Sequence, residues 1–155
     1  MKKITPFLWF DKNLKEITDY YLSIFPDAKV ESNGTLSDTP SGDVETATMN
    51  ILGQEFNLMT AGTMFTFNEA ISFVISCEDQ KEVDYYWEKL TTNGGQESQC
   101  GWCKDKYGLS WQVVPNTLSE LMEKGDADQK SRVVQAFMKM KKFDIKGLEN
   151  AFEGK

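Results

Sequence analysis

Apolar positions along this chain follow a strand rhythm, then a helical one, and then repeat the sequence a second time. Residues 4–10 (ITPFLWF) read as a strand, and Asn13 follows as a helix cap. The helix runs to Phe25, with Leu14, Ile17, Tyr21 and Ile24 recurring at helical spacing as one apolar stripe, and Pro26-Asp27 ends it. Residues 28–37, 44–52 and 55–60 read as three strands, separated by a loop at 39–43 and the Leu52-Gly53-Gln54 turn. A linker with two phenylalanines, 61–69, leads to a strand at 71–77 and a helix at 80–92. The Asn93-Gly94-Gly95 turn then opens a hairpin of 98–104 and 109–114 around Asp105-Lys106-Tyr107-Gly108, and Pro115 stops its last strand.

The two halves superimpose at a constant offset of 66, without a gap: Phe7 on Phe73, Lys15 on Lys81, Glu16 on Glu82 and Tyr20 on Tyr86. Ile17, Tyr21 and Ile24 fall on Val83, Trp87 and Leu90, and the caps Asn13 and Asp79 each precede a glutamate by three residues. Two copies are too few for a solenoid, so the pattern predicts a duplicated half-domain. The expected class is α+β, with a βαβββ module at 1–62, a second module at 70–115 and a helical tail at 116–155, all in a single domain 1–155. In the tail, Thr117-x-x-Glu120 reads as a capping box, Asp126-x-x-Gln129 as a second helix start, and Asp144 precedes Ile145, Leu148 and Phe152 at helical spacing.

Composition narrows the chemistry. At 155 residues and 40% apolar content the chain can bury one core but not two independent ones. A formal charge of −7 argues against a nucleic-acid partner, because phosphate-backbone binding needs clustered Lys and Arg. The basic run Lys139-Met140-Lys141-Lys142 reads as a solvated helix end. No apolar run is long enough to span a membrane, and the N-terminus has no signal-peptide pattern. With three cysteines, an odd number, the expected location is the reducing cytoplasm. The absence of histidine matters most, since it removes the commonest general base and the commonest transition-metal ligand together.

Among the remaining candidates, Cys100-Gly101-Trp102-Cys103 has redox-dithiol spacing, but it precedes a hairpin turn rather than opening a helix, so inert thiols are expected. A zinc site would need two more ligands, which Cys77 cannot supply. Trp102, Phe65 and Phe67 are candidates for an aromatic wall, while Trp9 is assigned to the core under the helix. Glu45, Glu55 and Glu69 are acids with no partner of known separation, so no acid/base role is assigned.

The segments ITPFLWFDKNLKE, YYLSIFPDAKV, FNEAISFVISCEDQKEVDYYWEKL, QCGWCKDKYGLSWQVVPNTL and MKMKKFDI resemble the PhnB-like family, which carries the designation 3-demethylubiquinone-9 3-methyltransferase. That family is part of the vicinal-oxygen-chelate superfamily, with glyoxalase I, extradiol dioxygenases and the bleomycin and fosfomycin resistance proteins. The resemblance runs from Ile4 to about Ala151 and implies two sheets curled around a shared cavity. It also implies metal-ligand positions on the first and last strands of each module. These fall at Pro6, at Ser72 by the offset, at Gln112 after the Asp105-x-x-Gly108 turn, and at Asn57 or Met59. None is ionic, so the expectation is a site with no metal and no cofactor.

In that register Ser72, Val74, Ser76, Ser110 and Gln112 face the cavity, and Phe73, Ile75, Trp111 and Val113 face the helix layer. The polar row reads as a ligand pocket or, alternatively, as hydroxyls bonded between strands of a closed core. The expected ligand-binding residues are Asn57, Ser72, Ser110, Gln112, Trp102 and Phe67. A small-molecule ligand is the expected partner. A homodimer is also expected, from the resemblance and from Val133, Val134, Phe137 and Met138 on one tail helix. The alternative is an enzyme, either a methyltransferase or a glyoxalase-like lyase or isomerase. Against the methyltransferase, no Gly-rich strand-to-helix turn for adenosylmethionine is present.

Overall fold

The structure, a computed structural model, describes residues 4–155 and divides between Thr66 and Phe67 into two units. The first contains β1 (Phe7–Phe10), α1 (Leu14–Ile24), β2 (Lys29–Thr39), β3 (Gly42–Ile51) and β4 (Gln54–Thr60). Its sheet runs β1-β4-β3-β2, with β1 parallel to β4 and the other pairs antiparallel. Asn13 caps α1 through its side-chain oxygen, which accepts from the Glu16 amide at 3.3 Å. The stripe Leu14, Ile17, Tyr21 and Ile24 is buried, as are Leu8, Phe10, Phe56 and Leu58, and the Phe10 and Tyr21 rings meet at 6.3 Å. Burial of each such side chain contributes roughly 1.5–3 kcal/mol.

The strand expected over 4–10 begins at Phe7, and the loop expected at 39–43 is only the turn Pro40-Ser41. Thr39 explains that turn, since its hydroxyl donates to the Gly42 carbonyl at 2.6 Å and accepts from the Ser41 amide at 3.1 Å. The edge strand β2 is exposed along nearly all its length, and its register with β3 breaks at Glu31 and again before Thr39.

The second unit contains β5 (Ser72–Cys77), α2 (Gln80–Thr91), β6 (Gln96–Glu97), β7 (Trp102–Lys104), β8 (Ser110–Pro115), α3 (Asn116–Lys124), α4 (Ala127–Phe137) and α5 (Ile145–Glu153). Its sheet runs β5-β8-β7-β6, the same order as the first, so the duplication holds at the level of topology. Asp79 caps α2 as Asn13 caps α1, accepting from the Glu82 amide at 2.9 Å. The strand expected over 98–104 is not continuous. Cys100 and Gly101 take left-handed backbone (φ 56° and 79°), and their amides bond the Met140 and Lys141 carbonyls at 2.8 and 2.7 Å.

The tail is therefore sewn onto this sheet. Gln80 donates to the Phe143 carbonyl at 3.0 Å and accepts from the Ile145 amide at 2.8 Å, and Lys142 pairs with Asp84 at 2.6 Å. Phe143, Val133 and Leu148 are buried. Arg132 closes α5 by donating to the Ala151 and Phe152 carbonyls at 2.8 and 2.7 Å. The helix start expected at Asp126 is present and carries a complete capping box with Gln129, but the capping box expected at Thr117 is absent. There α3 starts at Asn116, directly after Pro115, which leaves Thr117 inside the helix. Of the expected docking stripe, Val133 is buried within the chain, Val134 and Phe137 are half-buried, and Met138 is exposed.

The offset of 66 holds for the helices but not for the strands: three residues separate the end of β1 at Phe10 from α1, whereas two separate the end of β5 at Cys77 from α2. Because side chains alternate with period two, the missing residue exchanges the faces of the strand. Leu8 and Phe10 correspond to Ile75 and Cys77, the buried positions of β5. Pro6 therefore has the alternation of the helix-facing residues and is not the counterpart of Ser72. Trp9 is likewise not under the helix. It sits half-buried on the opposite face, where its indole N–H donates to the Gly62 carbonyl at 2.7 Å and its ring meets Phe65 edge-on at 5.0 Å.

Candidate functional site

The face of the second sheet turned away from α2 carries the polar row. Ile75, Trp111 and Val113 are buried on the helix side, whereas Val74 is 58% exposed on the other. Strand pairing arranges this open face in two cross-strand rows. Trp102, Gln112 and Val74 are successive partners in one, and Lys104, Ser110 and Ser72 in the other. Gln112 donates from its amide nitrogen to the Ser72 hydroxyl at 2.8 Å. That bond leaves the Gln112 carbonyl oxygen to accept and the Ser72 proton to donate. The buried Ser110 hydroxyl donates to the Asn68 carbonyl at 3.4 Å, and Lys104 meets the Glu69 carboxylate at 2.5 Å.

Beside these rows lies a depression of about 380 Å³, lined by Glu69, Glu97, Ser98, Trp102, Lys104 and Ser110 among others. Its size is that of a small-molecule site. The hydrogen bond from Lys104 holds the Glu69 carboxyl below its ordinary range, and Glu97 is lowered first by the Trp87 indole N–H and then by Lys141. Both acids are therefore ionised at neutral pH.

The expected site residues are brought together only in part. Ser110 and Trp102 line the depression, Ser72 and Gln112 lie on the same sheet face outside it, and Phe67 is half-buried without lining it. Asn57 belongs to the first unit, on the face of β4 opposite α1, and accepts from the Thr48 hydroxyl at 3.0 Å. It pairs with Phe7 as Gln112 pairs with Val74, so the two amides are equivalent once the strand slip is allowed for. Lys104, Glu97 and Ser98 are lining residues that the sequence reading did not single out. The signal for Lys104 was its alternation with Trp102, which puts both on one face.

The cysteines have no part in this site that calls for a thiolate. Burial pushes the Cys103 thiol up to about 12, with Asp105 adding to the effect, and Cys77 rises to about 12 from burial and the nearby Glu82 and Asp79. Asp105 itself is buried and fully bonded, accepting from the Tyr107 and Leu109 amides and from the Trp111 indole N–H.

Two four-stranded sheets in this order, each with a helix on one face, define the glyoxalase/bleomycin resistance/dioxygenase class of the vicinal-oxygen-chelate superfamily. The chain belongs to the 3-demethylubiquinone-9 3-methyltransferase family, whose model matches residues 2–114. A PhnB protein from Bacillus cereus, itself given as a candidate member of that methyltransferase group, is 29% identical. It aligns with a TM-score of 0.64 over 74% of this chain and 99% of its own. The fosfomycin resistance protein FosX from Listeria monocytogenes is similar in fold, at 17% identity, TM-score 0.57, and 77% and 94% coverage of this chain and its own. So is a glyoxylase/bleomycin resistance protein/dioxygenase domain from Frankia sp. EAN1pec, at 17% identity, TM-score 0.53, and 74% and 98% coverage. No curated protein matches the chain in sequence. The family match ends before α3, and the quarter of the chain left unmatched by the Bacillus cereus protein is about the length of the 116–155 tail.

The divalent-metal chemistry common in the superfamily does not fit the donors present here. Ser72 and Gln112 are neutral and bonded to each other, Asn57 is bonded to Thr48, and the chain has no histidine. Among the described residues no group of three or more His, Cys, Asp or Glu is placed to hold a metal ion.

Proposed function

We propose that this PhnB-like protein binds a small molecule on the open face of its second sheet, without a metal or cofactor, as a cytoplasmic homodimer whose 155 residues act as one domain. The observation that carries the reading is the convergence of Ser110, Trp102 and Lys104 on one depression, next to the Ser72–Gln112 pair. Two rows of polar and aromatic side chains on the sheet face turned away from α2 are suited to orienting a ligand.

The decisive test is thermal-shift screening of the full chain with small aromatics, adenosylmethionine and divalent metals, combined with Ser72→Phe. A compound from the aromatic set should raise the melting temperature of the parent but not of the folded variant. Stabilisation by a transition metal, or one metal held per chain in elemental analysis, would overturn the metal-free reading. A melting temperature shifted by adenosylmethionine would favour the methyltransferase alternative that the family's designation supports. A monomer at micromolar concentration in sedimentation would remove the dimer.

A further inference from the structure

We propose that the open face of the second sheet takes a ligand with a planar apolar body and an anionic oxygen head, with Lys104 as the head-group anchor and Glu69 as a built-in placeholder on it. This rests on the small-molecule reading above and adds the chemical class. Four observations lead to it. The first is the cross-strand register, which separates a ring-binding row (Trp102, Gln112, Val74) from a head-group row (Lys104, Ser110, Ser72). The rows are two residues apart along the strand, about 7 Å, which suits one aromatic ring and a carboxylate in hydrogen-bond contact.

The second observation is charge. Lys104 is the one cation among the described residues lining the depression, and the other acid there, Glu97, is already engaged by the Trp87 indole N–H at 3.0 Å and by Lys141 at 3.3 Å. The third is the present partner of Lys104. A carboxylate already sits on it at 2.5 Å, so the position accepts the group proposed for the ligand. The fourth is the asymmetry of that pair. The Lys104 side chain is 27% exposed and fixed on β7, while Glu69 is 64% exposed and lies outside any strand or helix. An exposed ion pair contributes little, so one carboxylate can replace the other at small cost. The Ser72 hydroxyl, whose proton the Gln112 bond leaves free, lies in the same cross-strand row and adds a polar donor to that face.

The anchor makes a prediction opposite in sign for its two members. The probes are benzoate, benzamide and benzylamine, titrated calorimetrically into the full-length protein at neutral pH and low salt. Benzoate should bind about tenfold tighter than benzamide, and benzylamine weakest. Lys104→Met should lose about tenfold in benzoate affinity, whereas Glu69→Gln, which removes the competitor, should gain severalfold. Lys104→Gln serves as a second cation-free variant, with circular dichroism confirming that each is folded. Equal or tighter binding of benzamide or benzylamine overturns the proposal, as does a Glu69→Gln variant with weakened benzoate binding. If none of the three probes binds while other compounds still shift the melting temperature, the anion class fails and the small-molecule reading stands. If no compound binds by either method, both fail.

Discussion

In the first unit β2 and β3 run for 11 and 10 residues, whereas their counterparts β6 and β7 have 2 and 3. In the long pair β3 is buried on one face and meets α1 at Glu45, which accepts from the Leu14 amide at 3.4 Å, while β2 is exposed along nearly all its length; the short pair is backed by the tail. Met140 and Lys141 supply carbonyls to the Cys100 and Gly101 amides, which have left the ladder, and Phe143 fills the space above Gly101. The difference shows that one topology can obtain its edge from strand length or from an added segment. It also carries over to the site, because Lys141 of the tail holds Glu97 at the rim of the depression.

The comparison is broken most severely at Phe143. Phe143→Ala should cost about 3–5 kcal/mol in urea denaturation, since its ring is buried and the cavity it leaves cannot collapse against Gly101. Leu36→Ala on the exposed β2 should stay within about 0.5 kcal/mol, so equal effects at the two sites would refute the assignment of support to the tail. Gly101→Ala comes next. Its added carbon would lie 2.4 Å from the Phe143 ring and 2.7 Å from the Val113 carbonyl, at φ +79°, and about 1–3 kcal/mol should be lost. Gly42→Ala in the first unit, at φ +82° with open space around it, should cost about 1 kcal/mol or less and show the backbone contribution alone.

The last effect vanishes at neutral pH and is confined to alkaline solution. All three cysteines lie in the second unit, and burial raises Cys77 and Cys103 to about 12, well above an unfolded thiol. With the folded value raised, the unfolded chain loses its thiol protons first. The contribution is thus intact below about pH 9 and lost as pH rises toward 12. By pH 10 each thiol should have removed about 1–2 kcal/mol relative to neutral pH, a slope that Cys77→Ala and Cys103→Ala should each reduce in parallel denaturation series. An unchanged slope would mean that these thiols are not shielded in solution.

Helix-borne features were the most legible from sequence, because a cap and a stripe at fixed spacing leave few alternatives. Asn13, Asp79 and Asp126 all cap where their spacing places them. The strand faces depart from expectation at Pro6 and Trp9 because helix residues dominate the alignment at offset 66, and a loop shortened by one leaves no gap in it. The continuous strand expected over 98–104 failed at Cys100 and Gly101, whose departure depends on carbonyls some 40 residues further along the chain. Alternation on β8 located Ser110 and Gln112 on the open face, but the ion pair between Lys104 and Glu69 joins residues 35 apart, and no local pattern announces it.

The irregularities of β2 bear on how the protein behaves when concentrated. A long, exposed edge strand invites other chains to extend the sheet, the first step towards aggregation. Here Glu31 interrupts the ladder at one end, Asp38 adopts φ 58° near the other, and Lys29 pairs with Glu31 at 3.7 Å, so that bulged and charged positions flank the short regular stretch between them. An approaching strand would have to bury those charges and straighten both bends. The bulged edge is thereby a poor template for another strand, and straightening it by deleting Glu31 should turn an exposed strand into an adhesive one.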